Sequence, residues 1–152
     1  MTTNATAVAF TKLYIGPTGS IPSSPDLFTE IKEIFNVGDL GIMFNMIQTN
    51  SLGDGYDREL KGTVKVTQFP LVLNRSINDP GQILLKAAAA VTTQALYPFK
   101  MTFNDAVSTP TTIYFQGKVT GFVTKGGEAN TVRRVDSGIS VEMDTITETL
   151  AA

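Results

Sequence analysis

The fold is decided by three runs in the C-terminal half: Tyr97-Pro98-Phe99-Lys100-Met101-Thr102-Phe103, Ile113-Tyr114-Phe115-Gln116-Gly117-Lys118-Val119-Thr120-Gly121-Phe122-Val123, and Val135-Asp136-Ser137-Gly138-Ile139-Ser140-Val141-Glu142-Met143-Asp144. In the first, Tyr97, Phe99, Met101 and Phe103 alternate with Pro98, Lys100 and Thr102. In the second, Ile113, Phe115, Val119 and Val123 alternate with Tyr114, Gln116, Lys118, Thr120 and Phe122. In the third, Val135, Ile139, Val141 and Met143 alternate with Asp136, Ser140, Glu142 and Asp144. Successive side chains of a strand point to opposite faces, so each run predicts a strand with one buried face. Lys125-Gly126-Gly127-Glu128-Ala129-Asn130 supplies a hairpin connection between the last two.

Upstream of these strands lies the one clear helix. Asp79 is an N-cap residue, Pro80 fits the first turn, and Gln82 completes a capping-box-like spacing. Ile83-Leu84-Leu85-Lys86-Ala87-Ala88-Ala89-Ala90-Val91 follows, with Thr92 and Thr93 ending it. The alanines favour helix and carry no bulk, so the helix can lie close on a sheet or a neighbour. Further upstream, Val8–Ile15, Ile31–Val37 and Ile42–Gln48 read as strands, with Gly38-Asp39-Leu40-Gly41 as a bend. Thr63 to Leu73 reads as strand whose phase slips at Gln68-Phe69, with a bulge or edge at Pro70. Residues 16–25 are Gly- and Pro-rich loop. Residues 49–61 show no sustained periodicity and read as a long charged loop, and residues 1–7 as a flexible N-terminal arm. Together these predict a single mainly β domain over 1–152: a two-sheet β-sandwich or barrel, one α-helix packed at the side, and a long β-hairpin loop.

Composition narrows the function. Of 152 residues, 42% are hydrophobic and only 17% charged, and the net charge is −2. The apolar share supports a core, and the low charge suits either a surface covered by neighbours or a Thr-rich exposed β-face. No basic stripe stands out, which argues against tight nucleic-acid binding; Arg133-Arg134 reads as a solvated or salt-bridged strand position. The chain has no Cys and no His. Thiolate chemistry, disulfides and His-dependent triads are thereby excluded. Asp54, Asp57 and Glu59 miss the spacing of a calcium loop. Glu142 and Asp144 share one strand face, where paired carboxylates are usually solvated and not catalytic. The reading is a non-enzyme with no metal and no cofactor. No apolar run approaches the ~20 residues that span a bilayer, and no signal-peptide pattern opens the chain, so residence in a cytoplasm is expected.

The order and aromatic placement of these elements resemble the major tail tube proteins of long flexible-tailed, lambda-like bacteriophages. The resemblance is carried by the helix from Ile83 to Ala89, the strand Tyr97–Phe103, Ile113–Val119, and the final hairpin ending at Ser140-Val141-Glu142-Met143-Asp144-Thr145. It extends upstream over the charged segment 49–61 and the strand 63–73. An immunoglobulin-like domain appended in some relatives is not expected here.

The resemblance implies a structural subunit of the virion tail, assembled in the host cytoplasm. It would form hexameric rings that stack into a hollow tube conducting the genome. Its partners would be copies of itself, a tape-measure protein, a tail terminator and baseplate or tail-tip proteins, with genomic DNA only passing through the lumen. Within that frame, Leu52, Asp54, Tyr56, Asp57, Arg58, Glu59 and Leu60 are candidates for ring-to-ring contact. Glu142 and Asp144 are candidates for a lumen-facing acidic stripe over which DNA slides. Competing readings are another ring-forming tail or secretion-tube component, of terminator or baseplate type, and a soluble β-sandwich binding module.

Overall fold

The computed structural model describes residues 9–18, 27–53, 55–66, 68–105, 109–142 and 145–149. The expected N-terminal arm over 1–7 lies outside them. Among the described residues, ten strands and one helix follow in chain order: β1 (Lys12–Ile15), β2 (Thr29–Ile31), β3 (Ile34–Val37), β4 (Ile42–Asn50), β5 (Asp57–Val66), β6 (Phe69–Asn74), α1 (Pro80–Ala89), β7 (Tyr97–Thr102), β8 (Thr112–Thr124), β9 (Arg134–Val141) and β10 (Thr147–Thr149). The fold is mainly β, in two sheets. The larger runs β2-β1-β7-β8-β9-β6-β3, with β10 paired to β8, and every pairing is antiparallel. The smaller consists of β4 and β5 alone.

The three alternating runs bury one face as their patterns dictate. Phe99, Met101, Phe115, Val135, Ile139 and Val141 join Leu13, Ile15, Ile31, Phe69, Leu71 and Leu73 in one core. Phe115 is its centre: its ring stacks on Phe99 at 5.4 Å and meets Phe69 tilted at 5.5 Å. Each fully buried aromatic of this kind contributes about 1.5–3 kcal/mol. The alternation breaks once. The register of β8 against β9 shifts between Val119 and Gly121, so Phe122 turns toward the core and Val123 is left exposed, the reverse of the simple period-2 reading.

Two segments read as single strands are each divided. Ile31–Val37 becomes β2 and β3, separated by Lys32-Glu33, with Glu33 at φ 62°. Thr63–Leu73 becomes the end of β5 and most of β6, which belong to different sheets. The phase slip at Gln68-Phe69 is thus a passage between sheets. Pro70 lacks an N–H, and it sits just past the last β3–β6 pair, Val37↔Leu71. Its ring lies where a side chain on Gly38 would be, 2.3 Å from an ideal Cβ position, so only glycine fits there. The strand β10 was not expected. It continues the line of β9 along β8, after Thr145 Oγ1 bridges to Gln116 and Glu142.

The sheet begins at β2 and ends at β3, which are consecutive in the chain. Lys32-Glu33 therefore joins the two ends of the sheet and closes it into a barrel by a covalent corner. The N-terminus of α1 secures that corner. The Lys32 N–H donates to Asp79 Oδ2 at 3.0 Å, and Gln82 Nε2 donates to the carbonyls of Lys32 (3.1 Å) and Asn74 (2.9 Å). Gln82 Oε1 accepts the Ser76 N–H, and the Asn74 N–H donates to the Glu33 carbonyl at 2.7 Å. The predicted N-cap is present, with the Gln82 N–H donating to Asp79. The Gln82 side chain, however, bridges the corner to β6 instead of reaching back to the cap. Gly81 lets the helix approach: a Cβ there would lie 2.2 Å from the Glu30 carbonyl oxygen.

Gln82 has no exposed surface. Replacing it by Ala leaves a cavity and several unmet backbone groups at once. Gln82→Ala is expected to lower the unfolding free energy by about 3 kcal/mol, while Lys86→Ala on the exposed side of α1 stays within about 0.5 kcal/mol. Urea denaturation midpoints of the two variants check this. Equal midpoints would show that the corner is held without Gln82.

Candidate functional site

The β4–β5 ribbon has no second layer. Its register runs from Ile42↔Val66 at the base to Asn50↔Asp57 at the tip, with a bulge between Phe44 and Met46. All nine residues of β4 are exposed. Of the segment 49–61, read from sequence as a long loop, Thr49 and Asn50 belong to β4 and 57–61 to β5; the true connection is only 51–56. It turns at Gly55 (φ 70°), whose N–H donates to the Ser51 carbonyl.

The bulge sorts the ribbon into two faces. One carries Ile42, Phe44, Met46 and Val64 near the base, then Gln48, Asn50, Asp57 and Glu59 toward the tip. Lys61 on this face lies over the Phe44 ring at 4.8 Å. The other carries Met43, Ile47 and Leu60 with Lys65 and Arg58, and Asn45 donates across to Thr63 Oγ1 at 2.9 Å. Both faces are therefore apolar in part, and both are open to solvent. Met43 is 62% exposed, and Leu52 at the tip is fully exposed beside Tyr56 at 69%. An isolated two-stranded ribbon is marginal in water, and exposed apolar side chains grouped in this way are the usual mark of an interaction surface.

The structure thus brings together Leu52, Tyr56, Asp57, Arg58, Glu59 and Leu60 at the tip and upper ribbon; Asp54 lies outside the described residues. Sequence reasoning missed the apolar residues nearer the base. The signal was there: Ile42-Met43-Phe44-Asn45-Met46-Ile47 lacks the polar alternation of a strand with one face in a core. Of the two residues expected to form an acidic stripe, only Glu142 is among the described residues. Glu142 pairs with Lys118 at 3.6 Å.

The ribbon leaves the barrel where β3 ends and β6 begins. The other ends of these two strands meet the turn between β8 and β9, through the pairs Ile34↔Leu73 and Asn74↔Arg134. That far end is basic. Lys125 pairs with Asp136 at 2.9 Å, Arg133 donates to the Lys125 carbonyl, Arg134 stacks on Phe35 at 3.7 Å, and Arg75 lies over Phe122 at 5.2 Å. Arg134, read as a solvated or salt-bridged position, is held by an aromatic ring. A further apolar patch, Ile83, Leu84 and Val91, faces outward from and just beyond α1.

No protein-family model matches the chain, and no curated protein matches it. Solved structures do. The chain is similar to one in the six-fold symmetrised cryo-EM structure of the anti-feeding prophage baseplate, with a TM-score of 0.74 and 13% identity over 99% of this chain and 98% of that one. It is similar to one in the sheath-tube complex of an extracellular contractile injection system in its extended state, with a TM-score of 0.71 and 12% identity over 97% and 93%. It is also similar to one in the sheath/tube terminator of that system, with a TM-score of 0.72 and 13% identity over 98% and 99%. At these identities the likeness is one of fold, and it spans nearly the whole of each chain. These structures are of a baseplate, a sheath-tube complex and a sheath/tube terminator, and not of the flexible-tailed phage type expected from the sequence.

An uncovered ribbon should open far more readily than the barrel. In the unassembled protein, amides of residues 43–49 and 58–65 are expected to exchange with deuterium at least ~100-fold faster than those of β6 and β9. Hydrogen exchange followed by mass spectrometry reads this directly. Equal protection would mean that the ribbon is already covered in the single chain.

Proposed function

We propose that this chain is a structural subunit of a tail-tube-type particle, one that assembles with its own copies into rings which stack into a hollow tube. The observation that carries this is the free ribbon: apolar on both faces, exposed along all of β4, and attached to a barrel that is complete without it. The whole-length fold likeness to chains in tube, terminator and baseplate structures supports it. A hexameric ring is the reading in line with the six-fold symmetrised baseplate and with the resemblance drawn from the sequence.

The ribbon's open edges supply lateral contacts. A strand edge that pairs with a neighbour around a closed ring leaves none exposed. The tip, with Leu52, Tyr56 and the charged residues that follow, supplies contact between rings. A ribbon that becomes ordered only when covered sets an entropic barrier to premature assembly. In a phage tail the tube would conduct the genome and meet a tape-measure protein, a terminator and a baseplate. The acidic stripe of Glu142 and Asp144 remains part of this proposal as a lumen surface, with Lys118 compensating Glu142. The fold likeness to a terminator chain favours a second reading, in which assembly stops at a single ring.

Purified protein at high concentration is expected to give six-subunit masses by sedimentation and hollow stacks of variable length by negative-stain electron microscopy. Single rings that never lengthen would favour the terminator reading. A monomer at every concentration overturns both. Deleting residues 51–58 is expected to leave rings but abolish stacks; tubes formed by that variant would remove the tip from the contact.

A further inference from the structure

We infer that the tip of the β4–β5 ribbon docks, head to tail, into the groove beside the β8–β9 turn of a second copy of this chain. The inference rests on the ring-and-tube reading above and names the receiving surface, which that reading leaves open.

The two surfaces match in charge. Residues 51–59 contain three carboxylates, Asp54, Asp57 and Glu59, against one guanidinium, Arg58. The far end of the barrel gathers Arg75, Lys125, Arg133 and Arg134, a third of the cations of the chain, against Glu128 and Asp136. They also match in apolar character. Tyr56 and Leu52 project from the tip with nothing covering them. The groove, of about 460 Å³, is lined by Lys125 and Arg134, by Glu128 and Asp136, and by Val72 and Val132, the last 63% exposed. An aromatic and an aliphatic anchor seated on Val72 and Val132 inside a charged, polar rim is the arrangement that concentrates binding energy at protein contacts.

Their placement suits a head-to-tail assembly. β6 enters at the ribbon end with Phe69 and leaves at the basic end with Asn74, so the ribbon's root and the groove lie at opposite ends of a strand about 20 Å long. A reciprocal two-fold exchange of tips would close at two chains and end growth. Docked head to tail, the pairing is heterologous and leaves a free tip at one end and a free groove at the other after every addition, which is the condition for open-ended stacking.

The chain has no cysteine, so engineered thiols are unambiguous. Leu52→Cys and Val132→Cys variants of the full chain, mixed under oxidising conditions, are expected to give a disulfide-linked pair containing one of each, far above the yield of Leu52→Cys with itself. Arg133→Glu with Arg134→Glu is expected to raise the concentration needed for stacking by about tenfold or more, with rings retained. Adding Asp57→Lys and Glu59→Lys to that variant should restore stacking. Stacks that form at the normal concentration in the Arg-to-Glu variant, or rings and stacks with no 52–132 crosslink, overturn the groove while leaving the ring-and-tube reading intact. A wild-type chain that stays monomeric in the same assay overturns that reading, and the groove with it.

Discussion

The corner at Lys32-Glu33 is the constraint on which this barrel depends. A sheet with two free edges exposes two rows of backbone donors and acceptors, and each unmet buried group costs about 1–3 kcal/mol. Here the first and last strands of the sheet are adjacent in the chain, so a two-residue link joins them. Such a link makes no ladder of its own. Its groups are met instead by the side chains of Asp79 and Gln82 and by the Asn74 backbone. The helix therefore does more than cover the core with Leu85 and Ala88. Its first turn substitutes for the missing strand pairing, which is why Gly81 must be small and Gln82 fully buried.

Against that closed barrel the ribbon stands out as unfinished. Every strand of the barrel but the short β10 places apolar residues in or against the core, whereas β4 places none there. The same chain thus separates a part satisfied by its own core from a part that is not. The barrel is satisfied internally, and the ribbon offers apolar side chains and strand edges to whatever covers them. The basic end of the barrel adds a second uncommitted surface, held in shape by cation–aromatic contacts of Arg134 with Phe35 and Arg75 with Phe122.

The legible parts of the sequence were those governed by local rules. Period-2 alternation at 97–103 and 135–141 placed those strands, and Asp79-Pro80 fixed the start of the helix. Hidden were the features decided by tertiary context. Ile31–Val37 looks like one strand because nothing local announces that Glu33 must take a positive φ to turn the corner. Phe122 and Val123 differ little in hydrophobicity, so only the bulge decides which is buried. Residues 57–61 looked like loop because charges dominate a strand that has no buried face to reveal. For the candidate site, the tip residues were chosen on length and charge, and the exposed apolar run 42–47 was missed because hydrophobic strand residues are ordinarily read as core.

The Gly38–Pro70 contact at the foot of the ribbon has an evolutionary consequence. β3 and β6 are held side by side by their own ladder and by this contact, whatever lies between them in the chain. The intervening excursion therefore begins and ends at fixed points. Lengthening such an excursion is cheap, since doubling a loop adds only about 0.6 kcal/mol of closure entropy. Natural variation could extend, shorten or recharge the arm in register steps of two residues while the barrel beneath it stays unchanged. Divergence in such a lineage should concentrate in this excursion, allowing one scaffold to acquire different partners without a change of fold.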